Sequence, residues 1–410
     1  MRVLYVAQNY QPMDASSITT YGIVRKLAEK GHKITLLVPQ RCPKECVRNC
    51  SMRCNDDTNI VVTRVPTLAP YYIINEHKNL GALILSFTHL FVILWGVRIC
   101  GKKRIHVIVS QHHLSHFASF SAFVLSRIFK LPLVVKTHDV FDSASKVYES
   151  LFLSMLFNVY RVVLRWSDHV LVVSGPLRSK TIERYKLDKS KVTVFPTGVD
   201  TKKFRPDIDS SFLQHDLHLE GKKILLFIGR IREERGLAVL MKALPRITAK
   251  TSDVRVLIVG DGPKKSDLVR LIQELRVERL VTFVRSVGHD EIPRYICMSD
   301  MAIGPLVATI DTYGSVPRKV LEYMACAKPV VACRGGVSQD LIVDGYNGFL
   351  FGPGNVDDLA PVILKAISNP GLVKKMGLNA RRYIEDFYDW DKIMSVFEKV
   401  LYVSLTNVKR

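Results

Sequence analysis

Strand-like and helix-like segments alternate along this chain from one end to the other, and they do so in two separate runs. That pattern constrains the fold more than any other feature, because alternating strands and helices settle into parallel sheets with right-handed crossovers. The first run predicts strands at Val3–Ala7, Lys33–Val38, Ile60–Val65, Ile105–Val109, Leu133–Lys136, His169–Val173 and Val192–Phe195. Its first helix is expected from about Ser17 to Lys30, with Ser16 or Ser17 as the cap and Gly31 as the stop. After Pro196-Thr197-Gly198-Val199-Asp200 the chain turns polar and irregular as far as Gly221, and a second run begins. That run predicts strands at Lys222–Ile228, Val254–Val259, Val281–Val284, Met301–Pro305, Pro329–Ala332 and Gly348–Phe351. The expected architecture is therefore α/β, with two facing Rossmann-like domains over 1–203 and 204–388 and a cleft at the carboxyl ends of the strands. A last helix within 389–410 is expected to pack back on the first domain. A chain of 410 residues is long enough to bury two such cores.

The net charge of +21 is unevenly spread. Residues 1–205 hold 30 Lys and Arg against 13 Asp and Glu, while the rest of the chain holds 29 against 25. No nucleic-acid-binding motif accompanies the basic half, so nucleic acid is not the expected partner. An anionic membrane suits the charge better, with about 1 kcal/mol available per basic residue near acidic lipid. Residues Leu80–Cys100 approach the length of a membrane span, but Ser86, Thr88, His89 and Arg98 interrupt them and a predicted strand follows at once. A helix packed on a sheet, with one face toward lipid, is the expectation, and Leu151–Trp166 repeats the style. Met1-Arg2 leads directly into a predicted strand and not into a secretory core, so the protein is expected in the cytosol, at the inner face of the membrane.

The residues that carry chemistry concentrate in the second run. The strand over Ile224–Ile228 leads into Gly229-Arg230, and Arg235-Gly236 follows five residues later. Much further on, Gly314-Ser315-Val316-Pro317-Arg318-Lys319-Val320-Leu321-Glu322 opens a helix. Guanidiniums offer planar forks of donors to phosphate oxygens, and a helix N-terminus adds oriented N–H groups. Glu322 can accept from two adjacent hydroxyls, as on a ribose. The set suits a diphosphate joined to a sugar diol.

Together with Tyr10-Gln11-Pro12, Glu29-Lys30-Gly31-His32, His138-Asp139, Pro196-Thr197-Gly198-Val199-Asp200, Val259-Gly260-Asp261-Gly262-Pro263 and Asn347-Gly348-Phe349, these residues resemble family four of the GT-B glycosyltransferases. The resemblance implies a retaining enzyme that moves a sugar from a nucleoside-diphosphate sugar, UDP- or GDP-linked, to an acceptor. A lipid-linked or polysaccharide acceptor is expected from the charge and the apolar helices. On the same resemblance Arg230 and Arg235 match the basic pair on the donor diphosphate, although the second is usually lysine. His138 matches the histidine beside the donor sugar, Glu322 the ribose-binding acid, and Ser315, Val316 and Lys319 the segment that meets the phosphates. Ser16 stands where helix one faces the donor, and Arg285 lies in the base-binding loop. No cofactor is required for this chemistry, since the arginines take the charge of the leaving group. The chain departs from the family at Gly314, where an acid is common, at Ala15-Ser16-Ser17, where a glycine pair is common, and at Thr197 in place of asparagine. Two other readings stay open: a catalytically silent nucleotide-sugar-binding partner, and a GT-B sugar-nucleotide epimerase.

Cys42, Cys46, Cys50 and Cys54 recur every four residues in an insertion over 41–58. On one straight helix they would span about 18 Å, too far for a shared ion with bonds near 2.3 Å. The segment must fold back to hold a structural zinc or iron–sulfur centre. A pair of disulfides and unconnected thiols remain the alternatives.

Overall fold

The computed structural model describes residues 1–7, 15–39, 59–66, 78–112, 118–137, 151–304, 306–307, 317–335 and 338–407. The chain forms two compact units, one of residues 1–196 with 393–410 and the other of residues 197–392.

The first unit is built on seven parallel strands, β1 (Arg2–Val6), β2 (Lys33–Pro39), β3 (Ile60–Val65), β4 (Val107–His112), β5 (Leu133–Thr137), β6 (His169–Val172) and β7 (Val192–Val194). Their order in the sheet is β3-β2-β1-β4-β5-β6-β7. Helices α1 (Ala15–Glu29), α2 (Lys78–Lys102), α3 (Ala118–Ile128), α4 (Leu151–Trp166) and α5 (Gly175–Tyr185) connect them. The first of these starts at Ala15, so Ser16 and Ser17 belong to its first turn and not to its cap. Gly31 follows its end with φ +81°, as the sequence predicts.

Helices α2, α3 and α4 lie side by side over one shared core that includes Val92, Leu125, Val163 and Leu164. Their outer faces stay apolar: Leu90 and Leu94 are each 54% exposed, and Trp166 is 62% exposed. Among the described residues no helix is long and apolar enough to cross a membrane. The last helix, α11 (Trp390–Asn407), joins this unit from Ile393 onward. Glu398 holds it there by accepting from Lys30 Nζ at 2.6 Å and from His32 Nε2 at 2.9 Å.

Lys136 on β5 is fully buried, with its Nζ 5.8 Å from the Phe195 ring centre. Burial pushes its ammonium down to about 7. An unfolded chain would keep this proton up to about pH 10.4, so it binds more protons than the folded chain between those two values, and stability rises with pH across that window. The stability of Lys136→Met relative to the wild type should therefore be highest at or below pH 7 and fall toward pH 10. Urea unfolding of both proteins at pH 7, 8 and 9 measures this, and a constant difference would contradict it.

The second unit holds six parallel strands, β8 (Lys223–Ile228), β9 (Val254–Val259), β10 (Val281–Val284), β11 (Met301–Ile303), β12 (Val330–Cys333) and β13 (Gly348–Phe351), in the order β10-β9-β8-β11-β12-β13. Its helices are α6 (Leu237–Thr248), α7 (Lys265–Glu274), α8 (Arg318–Ala325), α9 (Val356–Ile367) and α10 (Pro370–Phe387), with a short helix at Ile292–Cys297. Side chains of β8 alternate between two cores, as period two requires. Leu225 and Phe227 pack with α6, α7 and α9, while Ile224, Leu226 and Ile228 pack with α8 and α10. The sheet is thus covered on both faces, which explains why its strands read as unbroken apolar runs. Strand β8 sits where the strand order reverses, and ligands of such sheets bind beyond the carboxyl end of that strand.

Candidate functional site

The chain leaves β8 through Gly229, at φ +132°, and enters a 3₁₀ turn over Glu233–Arg235 that Gly236 ends at φ +68°. Beyond β9, Gly260 has φ +142°, and a Cβ there would run into the Gly229 carbonyl oxygen. A Cβ on Gly262 would likewise strike the Ile231 carbonyl. The two turns are laced together by Gly229 N–H donating to Val259 O and Ile231 N–H donating to Asp261 O, both at 2.9 Å. Glycine is required here because backbone meets backbone. These turns form one wall of a cavity of about 460 Å³, completed by Ile228, Arg230, Ser286, Val287 and Ile292.

Three cations gather at the end of β8. Arg230 lines the cavity and is exposed. Arg235 is half-buried in its turn. Lys319, in the first turn of α8, lies with Nζ 3.8 Å from the Phe227 ring centre and 3.6 Å from where a Gly229 side chain would begin. Burial first, and then the charge of Arg235, push the Lys319 ammonium well below its ordinary range. Among the described residues none of the three meets an ion-pair or side-chain hydrogen-bond partner; the side chain of Glu234 lies outside them. Glu233, which the same turn could have offered to Arg230, instead lies 3.6 Å from Lys264. Three cations crowded together without an anion cost stability unless a ligand supplies the charge.

Helix α8 is tied to this strand end by Tyr323. Strand β11 pairs with β8 only at Leu225 and Leu226, so Ile228 N–H is left over on that side, and it donates to Tyr323 Oη at 2.7 Å. One turn after Lys319, Glu322 is 5% exposed. Its Oε1 accepts from His289 Nε2 and from Arg318 Nε, each at 2.9 Å. Burial alone would raise this carboxyl, but the hydrogen bond from His289 and the charge of Arg318 outweigh it and hold it below the usual range. Lys203 Nζ lies 2.8 Å from His289 Nδ1. Lysine can only donate, so Nδ1 accepts, and in the neutral ring Nε2 carries a proton. The 2.9 Å contact to Glu322 takes it, and the 3.3 Å approach of Arg318 Nη2 to Nε2 is then a contact without a hydrogen bond.

Of the residues singled out from sequence, the fold brings Arg230, Arg235, Lys319 and Glu322 to one region of the second unit. Arg285 does not join them in the wall: its side chain is exposed, and Ser286 and Val287 form the surface there. Ser16 lies in α1 in the other unit, and its side chain is outside the described residues, as are His138, Ser315, Val316, Cys42, Cys46, Cys50 and Cys54. Asp207 is taken by Arg205 at 3.1 Å, and Asp209 accepts from Ser211 N–H at 3.0 Å, so both carboxylates serve local structure. Lys203, His289 and Arg318 were missed from sequence. A signal existed for one of them, since Arg318 stands one helical turn before Glu322, at a spacing that puts both on one face.

Two doubly wound parallel sheets in one chain define the GT-B fold, and solved structures share it. The HepE protein of Anabaena, crystallised with UDP, aligns with TM-score 0.73 at 19% identity, over 98% of this chain and 100% of that one. The sucrose-phosphate synthase of Thermosynechococcus elongatus aligns with TM-score 0.76 at 18% identity, again over 98% and 100%. The Glycosyltransferase Family 4 profile matches residues 16–203, and the Glycosyl transferases group 1 profile matches residues 211–383. This chain belongs to the group 1 glycosyltransferases. Among curated relatives, the alpha-D-kanosaminyltransferase of Streptomyces kanamyceticus is 24% identical over 88% of this chain and 92% of its own length. A GDP-mannose-dependent mannosyltransferase of Mycolicibacterium smegmatis is 29% identical over 55% and 59%.

Proposed function

We propose that this glycosyltransferase takes a sugar from a nucleoside-diphosphate sugar bound in the second unit and transfers it, with retention, to a lipid-linked or glycan acceptor at the cytosolic face of a membrane. The observation that carries the donor half is the group of Arg230, Arg235 and Lys319, which meets no anion among the described residues, beside a cavity large enough for a base. As the anomeric C–O bond breaks, the electron pair goes to the diphosphate, and the three cations stabilise that charge. The departing phosphate oxygen then takes the acceptor's proton on the same face, so no protein carboxylate is needed as base. His138 is assigned beside the donor sugar on the family likeness alone. Glycosyltransferases of this family include relatives named for GDP-mannose, and HepE was crystallised with UDP, so both bases belong in the test.

Thermal melting against UDP, GDP and their nucleosides examines the donor site directly. A nucleotide at 100 times its dissociation constant adds about 2.7 kcal/mol to stability. A shift from one diphosphate but not from its nucleoside is expected. No shift from either diphosphate would remove the donor reading.

The membrane half rests on the outer face of α2, α3 and α4. Leu90, Leu94 and Val97 recur at helical spacing on α2, while Ile128, Val162 and Trp166 are exposed on the two neighbouring helices. Arg98, Lys102, Arg127 and Arg165 are exposed among them. Apolar and aromatic side chains interleaved with cations suit the interface of an anionic bilayer. The protein should sediment with phosphatidylglycerol vesicles and not with phosphatidylcholine, and Leu94→Glu with Trp166→Glu should release it. Vesicle binding unchanged by those substitutions, or a dimer that they dissociate, would replace the membrane with another occupant.

A further inference from the structure

Once three cations are given to a diphosphate, the contacts around Glu322 remain without a role. A carboxylate has about four lone-pair positions, two on each oxygen. Here the two on Oε1 are filled by the protein, through His289 Nε2 and Arg318 Nε at 2.9 Å each. Oε2 accepts no hydrogen bond from the described residues. The free capacity therefore lies on one atom and amounts to two donors, which is what the adjacent hydroxyls of a vicinal diol supply.

The fold holds this arrangement before any ligand arrives. Lys203 Nζ is anchored by Asp290 at 2.6 Å and sets the His289 tautomer through Nδ1 at 2.8 Å. The His289 ring packs against Phe204, with centres 5.3 Å apart. Arg318 is braced on the same helix as Glu322, and its Nη1 is enclosed without a hydrogen-bond partner. Enclosing that guanidinium costs stability, which a purely structural Arg–Glu pair on a helix surface would not incur.

We infer that His289 and Arg318 are positioning residues that preset Glu322 to accept from both hydroxyls of a vicinal diol, so that the chain selects its nucleotide at the ribose as well as at the diphosphate. The inference rests on the donor-site reading above. A hydrogen bond to a charged group contributes about 1.5–3 kcal/mol, which converts to roughly tenfold to a hundredfold in affinity.

The experiment titrates the full-length protein with UDP and GDP, each against its 2′-deoxy form. The wild type should prefer the ribonucleotide by at least about tenfold. His289→Ala and Arg318→Ala should bring that ratio toward one by weakening the ribonucleotide and leaving the deoxy form nearly unchanged. His289→Gln and Arg318→Lys, which keep a donor near Oε1, should restore much of the ratio. If Arg318→Ala does not fold, His289→Ala and Arg318→Lys still decide the matter. An unchanged ratio in the folded variants overturns the inference, and so does an equal loss for both nucleotides, which marks a structural role. Binding of neither ribonucleotide by the wild type overturns the donor-site reading and this inference with it.

Discussion

Alanine at both Arg230 and Arg235 is expected to lower kcat/KM for a nucleotide sugar by at least about 10²–10³, the effect of removing a single preorganised donor at a site of developing charge. The loss should appear in donor hydrolysis even without an acceptor. Arg235→Lys, which keeps the charge but loses the planar fork, should fall between wild type and alanine. Lys319 offers a sharper signature, because its ammonium is buried beside Arg235 and meets no anion among the described residues. Lys319→Met should raise the melting temperature of the ligand-free protein and remove the stabilisation by nucleoside diphosphate. A diphosphate favours the protonated ammonium, so binding should take up a proton, and affinity should weaken as pH rises past the lowered Lys319 value. Full turnover in the Arg230→Ala/Arg235→Ala protein would locate the chemistry elsewhere.

Glu322→Ala is expected to destabilise the second unit by about 3–5 kcal/mol, the usual cost of removing one member of a buried ionic group. Its loss strands the Arg318 guanidinium, whose Nη1 already lacks a partner, and leaves His289 Nε2–H with no acceptor. Glu322→Gln keeps an oxygen for Arg318 and His289 and should cost less. Denaturant unfolding of the two variants gives the comparison. Equal, small losses would mean that the group is open to water and carries little of the fold. The Glu322 carboxyl is held below its usual range by His289 and Arg318 against the opposing effect of burial. Its folded value therefore lies below the unfolded one, and its contribution is present above the unfolded value near pH 4.3 and lost as pH falls through the folded value.

Much of this was readable in advance. Each predicted strand of the second run reappears within a residue or two of its expected ends, because a strand buried on both faces announces itself as a short apolar run. Arg230, Arg235, Lys319 and Glu322 were legible because each follows a strand end or opens a helix, where donors and charges collect near ligands. Arg285 was harder to place: in a loop, nothing local tells which neighbour faces inward, and Ser286 and Val287 line the cavity while Arg285 is exposed. The glycines at 260 and 262 were visible as a motif, but their necessity comes from the carbonyls of Gly229 and Ile231 in another turn.

What the sequence determined alone was the α/β class, the basic first half and the cations and acid at strand ends and helix starts. Those follow from local periodicity and side-chain chemistry, which need only near neighbours in the chain. The tertiary structure decided which charges are paired. His289, held by Lys203, reaches the Arg318–Glu322 pair of α8 from another part of the chain, while among the described residues Arg230, Arg235 and Lys319 meet no anion. Pairing depends on distances of a few ångströms between groups far apart along the chain, and only the packed fold sets those distances.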